Sequence, residues 1–157
     1  MSQRMDIPDL RKAADSGNPA AQSMLGVCYL HGIEVDINYD EAFRLLSVAK
    51  TSRGVVNLAW MYAEGLGVPK DMAQAIRLYK RVAKVEFRAQ LELGRIYSRG
   101  NEVPVDLQEA LKWYSAAAAR NENSYVGDAA TAAFAGSATQ QEIQEAKDFV
   151  ARNSDPA

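Results

Sequence analysis

The chain has 157 residues, 48% hydrophobic and 24% charged, with a formal net charge of −2 at pH 7. This length suits one hydrophobic core, so we expect a single domain over residues 1–157, and the charge balance predicts no general attraction to nucleic acid or anionic membranes. One cysteine, Cys28, and one histidine, His31, are too few for a disulfide framework or a metal centre, and we expect neither metal nor cofactor.

The N-terminal residues lack the apolar segment that a signal peptide needs, and no run of about 18 apolar residues follows. The expected location is therefore the cytoplasm, although the sequence leaves open whether a leader has been removed. The first predicted element is a helix within residues 6–17. Asp6 can cap this helix, and Pro8 lies in its first turn.

The first predicted repeat covers residues 18–50 and contains two helices. Asn18 followed by proline is typical of a helix start, and Gly32 can take the left-handed conformation that ends the helix. Asn38 then stands three residues before Glu41, which is the spacing of a helix cap and its returning carboxylate. The repeat is therefore predicted to be a helical hairpin.

The same pattern recurs in residues 51–83 and 84–119. Each copy has a leucine, a small residue, a tyrosine four residues after the leucine, and a glycine three residues after the tyrosine. An alanine follows ten residues after each glycine. The leucines are Leu25, Leu58 and Leu93, and the alanines are Ala42, Ala75 and Ala110.

A degenerate fourth copy is predicted over residues 120–152. Ala129, Gly136 and Ala146 keep the same spacing, and Thr139 stands three residues before a glutamate. Solenoids need such atypical end repeats, and residues 153–157 should form a frayed tail. The sequence therefore predicts an all-α, right-handed α-solenoid of about four helical-hairpin repeats after an N-terminal helix, with about nine helices.

These residues resemble the Sel-1-like repeat, a relative of the tetratricopeptide repeat. Residues 13–17 and 21–26 match the opening of the family unit, and residues 65–71, Gly-Leu-Gly-Val-Pro-Lys-Asp, match its central turn. The resemblance covers residues 13–152. It implies an α-solenoid and a role as a protein-binding adaptor, a role known mostly in bacteria and also in endoplasmic-reticulum quality control.

Two features depart from the family pattern. Glu34 stands where the family has glycine, and the joints near residues 51–53 and 84–86 are short, so we expect tighter or altered turns there.

A partner-binding groove is predicted on the first helices of the hairpins, which line the concave side of such solenoids. Counting from each leucine places four arginines and one tryptophan on this face. Arginine and tryptophan are typical of binding hot spots, and a guanidinium fits a carboxylate. We expect a partner protein with an acidic, partly apolar segment. The predicted partner-binding residues are His31, Arg53, Val56, Trp60, Glu64, Arg88, Arg95, Arg99 and Phe134, and the same count adds Val27, Leu30, Ala63 and Leu91.

Several functions are compatible with this fold. The favoured prediction is a non-enzymatic scaffold or adaptor, and the alternative is an immunity-type inhibitor that occludes one cognate toxin or enzyme. An enzyme would need a strongly perturbed titrating group near His31 or Glu64, and we expect none. We expect a monomer without nucleic-acid or membrane partners, while stacking through end helices near Ile143, Phe149 and Val150 would give a self-assembling protein.

Overall fold

The structure is a computed structural model that describes residues 6–119 and 139–154. The described residues form eight α-helices and contain no β-strand, so the predicted all-α class is confirmed. A ninth helix, predicted before Thr139, lies outside the described residues. The helices are α1 (Ile7–Asp15), α2 (Pro19–His31), α3 (Tyr39–Ala49), α4 (Ser52–Glu64), α5 (Met72–Val82), α6 (Phe87–Arg99), α7 (Leu107–Ala118) and α8 (Gln140–Asn153).

Most of the described helices begin at capping residues that the sequence predicts, whereas Glu86 at the start of α6 makes no side-chain cap. The side chain of Asn38 accepts from the backbone N–H of Glu41 at 3.0 Å, and Asp106 accepts from Glu109 at the same distance. At Thr139 the arrangement is reciprocal, because Glu142 also accepts from the backbone N–H of Thr139. Each cap satisfies one of the backbone donors that the first helical turn leaves without a partner.

The first helices of the hairpins end at the predicted glycines. Gly32, Gly65 and Gly100 have φ of 69°, 69° and 68°, the left-handed conformation that glycine adopts without steric cost. Two residues after Gly32, Glu34 also has a positive φ, of 59°, and Gly67 has φ of 70° at the equivalent position of the next hairpin. Glu34 therefore adopts the left-handed conformation at the position where the family has glycine.

The short joint between α3 and α4 is a tight turn, as expected. Lys50 has φ of 52°, and Thr51 caps α4 by accepting from the backbone N–H of Gly54 at 3.0 Å. The hydroxyl groups of Thr51 and Ser23 also form a hydrogen bond, which ties the start of α4 to α2. The short joint therefore holds the two first helices side by side.

The chain divides into two compact units, residues 1–78 and 79–157. In unit 1, α2 packs against α1, α3 and α4. The close approach of α2 and α3 depends on Gly26, since a Cβ there would lie 2.8 Å from Cγ of Leu46. The single-domain organisation stays a prediction. The larger buried side chains of unit 1 are Leu10, Leu25, Val27, Leu30, Leu45, Leu46, Val55, Val56, Met61 and Leu78.

In unit 2, α7 packs against both α6 and α8. A Cβ at Gly94 would lie 2.9 Å from the ring of Tyr114, so the small residue after Leu93 lets the two helices of this hairpin meet. Ile143 of α8 is only 4% exposed, and Phe149 and Val150 pack against the same core. Ile143 is therefore not available for stacking between molecules, whereas Phe149 and Val150 are partly exposed, and self-association through this end stays a prediction.

Candidate partner-binding surfaces

The first surface lies on α4 in unit 1. Arg53, Trp60 and Glu64 are separated by seven and four residues, which places their side chains on one face of the helix. Arg53 and Trp60 are partly exposed, and Glu64 is exposed. We call these three residues, together with His31, the α4 face.

His31 joins this surface from the end of α2. Its ring stacks on the indole of Trp60, with the ring centroids 5.4 Å apart and the ring planes 13° from parallel. Gly32 ends α2 directly after His31, so the imidazole lies at the end of its helix. Stacked aromatic rings hold each other in one orientation. The sequence count grouped His31 with Trp60, and the structure brings the two rings into contact.

Other residues of the predicted groove belong to the core. Val56 is 6% exposed, and Val27, Leu30 and Leu91 are 2% exposed or less. Ala63 is buried as well. This burial corrects the expectation that these apolar side chains line an open groove. Val27 and Leu30 are buried because α2 packs against three other helices, and α4, which carries Val56 and Ala63, packs against α2 and α3. Leu91 belongs to the core cluster of unit 2.

The predicted arginines of α6 have carboxylate partners within unit 2. Both terminal nitrogens of Arg88 donate to the carboxylate of Glu142. Arg95 donates to Glu145 twice, from Nε at 3.0 Å and from Nη2 at 2.6 Å, and its Nη1 donates to Glu92 at 2.7 Å. Each glutamate of α8 thus receives two hydrogen bonds from one guanidinium, which is the strongest geometry for this ion pair.

The contact between Arg95 and Glu145 shifts the pKa values of both groups. Burial alone would lower the pKa of Arg95, but its hydrogen bonds and charge interactions with Glu145 and Glu92 outweigh burial and raise that pKa. The hydrogen bonds from Arg95 lower the pKa of Glu145. Burial raises the pKa of Tyr114, whose hydroxyl donates to Glu145 at 3.2 Å. At neutral pH Arg95 and Glu145 therefore stay charged and Tyr114 stays neutral.

Two predicted residues remain. Arg99 is exposed at the end of α6, and its charge also lowers the pKa of Glu145. Phe134 lies outside the described residues. The partner-binding role of the whole predicted set stays a prediction.

A cluster of aromatic and charged side chains in unit 2 was not predicted. The ammonium of Lys80 lies 5.3 Å from the ring centroid of Tyr97, and that of Lys112 lies 4.6 Å from the ring centroid of Trp113. The indole N–H of Trp113 donates to Glu109 at 3.1 Å. The sequence contains a signal for one part of this cluster. Glu109 is followed three residues later by the basic residue Lys112, the same spacing as Glu41 and Arg44.

Lone Cys28 offers no reactive site. Its thiol is buried, and burial, followed by the charge of Glu34, raises its pKa. Within residues 6–119 and 139–154, no group of three or more His, Cys, Asp or Glu side chains is placed to hold a metal ion. No helix in these ranges is both long enough and apolar enough to cross a membrane.

Comparison with known proteins identifies the family. The family model described as Sel1 repeat matches residues 19–50, 52–84 and 87–122. The chain belongs to the Sel1 repeat family. These bounds coincide within a few residues with the three hairpins α2–α3, α4–α5 and α6–α7. Sel1 repeat proteins generally mediate protein–protein interactions on a non-catalytic helical scaffold.

Curated relatives and solved structures agree with this assignment. Protein sel-1 homolog 2 of Mus musculus is 34% identical over 77 residues, or 46% of this chain and 11% of the mouse protein. The human homologue is also 34% identical, over the same shares of both chains. The chain therefore spans about a tenth of the length of these relatives.

Two crystal structures share the fold. The Sel1 repeat protein from Oxalobacter formigenes is 41% identical with a TM-score of 0.59, covering 75% of this chain and 92% of its own. The protein c5321, a protective antigen of uropathogenic Escherichia coli strains with an SLR fold, is 29% identical with a TM-score of 0.66, covering 96% of this chain and 34% of its own. These likenesses confirm the Sel-1-like helical-repeat solenoid.

Proposed function

We propose that this Sel1 repeat protein is a non-enzymatic scaffold that binds a partner protein through the α4 face. The observation that carries the proposal is the stack of Trp60 on His31, which leaves the indole partly exposed. An indole held in one orientation loses little conformational entropy on binding and still offers a large apolar contact. Tryptophan is accordingly enriched among residues that dominate binding energy.

Charged groups flank this aromatic anchor on the same helix. Arg53 lies about two turns before Trp60 and Glu64 about one turn after it. A central apolar anchor with charged groups around it is the usual composition of a protein interface. We therefore expect the partner to insert an apolar side chain beside Trp60 and to place polar groups near Arg53 and Glu64.

The experiment is an affinity capture from native lysate with three tagged full-length proteins: the wild type, Trp60→Ala and Trp113→Ala. Trp113 is the matched control, since it is the second of two tryptophans, is also partly exposed, and lies on α7 in unit 2. We expect one partner to be retained by the wild type and by Trp113→Ala and to be lost by Trp60→Ala. Circular dichroism should show the same helix content for all three proteins.

Retention of the partner by Trp60→Ala would contradict the proposal. The inhibitor alternative remains a second prediction, and the affinity for the captured partner distinguishes it. An inhibitor should bind one partner with a Kd on the order of nanomolar and abolish its activity, whereas an adaptor should bind more weakly or to several proteins.

A further inference from the structure

Helix α8 covers a charged and apolar surface of the α6–α7 hairpin. In α8, Glu142 and Glu145 are three residues apart and lie on one edge of the helix. Their carboxylates bind Arg88 and Arg95, which are seven residues apart on α6. The charged contact between the two helices therefore consists of two matched pairs.

The contact also has an apolar part. Ile143 and Ala146 of α8 are 4% and 0% exposed, and they belong to one core cluster with residues of α6 and α7. One turn further on, the ring of Phe149 lies against Tyr114 with centroids 4.4 Å apart. We call the residues of the hairpin that receive α8 the acceptor surface. The acceptor surface consists of Phe87, Arg88, Leu91, Arg95 and Tyr114.

The acceptor surface is selective for the charge of its helix. The side chain of Arg88 is 21% exposed and that of Arg95 is 18% exposed. A guanidinium that is largely removed from water requires an opposite charge with good hydrogen bonds, and loss of that partner is costly. Tyr114 adds a hydroxyl donor directed at the same glutamate as Arg95. An apolar helix without the two carboxylates would leave the Arg88 donors, and the Nε and Nη2 donors of Arg95, without their carboxylate partners.

We propose that the acceptor surface is a docking site for an acidic amphipathic helix of a partner protein, and that α8 occupies this site as an internal competitor. The partner helix should carry the pattern of α8: two glutamates three residues apart, an apolar residue after the first glutamate, alanine after the second and an aromatic residue three positions later. Charge complementarity at both arginines selects this occupant. The proposal rests on unit 2 alone and is independent of the α4 face.

Internal competition has a quantitative consequence. While α8 is docked, the acceptor surface is closed, so the apparent affinity for an external helix equals the intrinsic affinity multiplied by the fraction of molecules in which α8 is undocked. A change that undocks α8 should therefore increase binding of an external helix without altering the acceptor surface itself.

The experiment uses a fluorescently labelled synthetic peptide of residues 139–154 as the probe. It is titrated with the full-length wild type and with full-length Glu145→Arg, in which the new arginine would face Arg95 and Arg99 and repel α8. We expect Glu145→Arg to bind the peptide about tenfold more tightly than the wild type, or better. A peptide with Glu142→Gln and Glu145→Gln should bind Glu145→Arg at least about tenfold more weakly than the native peptide.

Two control proteins separate undocking from unfolding. Asp148→Arg introduces the same charge one turn further along α8, where Asp148 is exposed and pairs with Gln144, and it should bind the peptide no better than the wild type. Arg95→Glu combined with Glu145→Arg restores an opposite pair within the chain, so its Tm, measured by circular dichroism, should recover from that of Glu145→Arg towards that of the wild type. Recovery of the Tm in this double variant identifies repulsion of α8 as the cause of undocking.

The proposal is overturned if Glu145→Arg and the wild type bind the native peptide equally, or if the neutral peptide binds as well as the native one. It is also overturned if light scattering shows that the wild type forms a concentration-dependent dimer that Glu145→Arg abolishes. In that case a second copy of this chain would be the occupant of the acceptor surface.

Discussion

Arg95 and Glu145, which are 50 residues apart in the sequence, form a two-point ion pair that joins α6 to α8. The distances are 3.0 Å from Nε to Oε1 and 2.6 Å from Nη2 to Oε2. Arg95 belongs to the set of residues predicted to bind an acidic partner, yet the carboxylate that it binds here comes from its own chain. We expect this pair to affect both the stability of unit 2 and the dependence of that stability on pH.

The first prediction is that Arg95 and Glu145 stabilise unit 2 cooperatively. Arg95→Gln and Glu145→Gln should each lower the free energy of unfolding, because each leaves a partly buried charge without its main partner. The double variant should lose less than the sum of the two losses, with a coupling energy of about 1–2 kcal/mol. Urea unfolding of the four proteins, followed by circular dichroism, measures this coupling.

The Glu41–Arg44 pair supplies the control for this cycle. The two glutamates are about equally exposed, at 32% for Glu41 and 33% for Glu145, but Arg44 is 57% exposed and Arg95 is 18% exposed. Exposed pairs at this helical spacing contribute about 0.3–0.5 kcal/mol. If the two cycles gave the same coupling energy, the stabilising role of the Arg95–Glu145 pair would be refuted.

The second prediction concerns acid. Since Arg95 lowers the pKa of Glu145, the folded chain binds fewer protons at this carboxyl than the unfolded chain. The stabilisation is therefore complete above the ordinary pKa of 4.5 and is lost as the pH falls below it. The Tm difference between the wild type and Glu145→Gln should shrink between pH 7 and about pH 3.

The matched control for the acid experiment is Asp148→Asn, which removes an exposed carboxylate from the same helix. Its Tm difference from the wild type should stay small across the same pH range. A difference for Glu145→Gln that persisted unchanged at low pH would contradict the assignment.

The third prediction is that Glu34→Gly stabilises unit 1. Glu34 has φ of 59°, which costs about 1–2 kcal/mol for a residue with a Cβ, while glycine loses part of this gain through the flexibility of the unfolded chain. The net gain in the free energy of unfolding should be about 0.5–1 kcal/mol. Glu34→Ala keeps the strain and should give no such gain, so equal stabilisation by both variants would show that the side chain, not φ, is responsible.

Most of the fold was predictable from the sequence because its signals are local. The caps at Asn38 and Thr139 depend on residues three positions away, and the helix ends at Gly32 and Gly100 depend on one residue each. Helix packing was also predictable at Gly94, since a small residue in each copy indicates a close helix contact. The spacing of residues along the sequence is enough to predict these caps, helix ends and close helix contacts.

The candidate site was less predictable because it depends on distant neighbours. Spacing placed Val56 on the same face as Trp60, but in the folded chain Val56 is buried and Trp60 is partly exposed. In the same way, spacing grouped Arg88 with Arg95 without indicating that α8 would supply their carboxylates. Only the tertiary structure shows these partners.

The most direct test of the central claim is site-specific cross-linking in cells. A photo-reactive phenylalanine analogue replaces Glu64, one turn from Trp60, and in a second protein it replaces exposed Lys112 on α7. Binding through the α4 face predicts a cross-linked partner at position 64 that disappears when Trp60→Ala is added, and no such adduct at position 112. Absence of an adduct at position 64, or the same partner at position 112, would contradict the account.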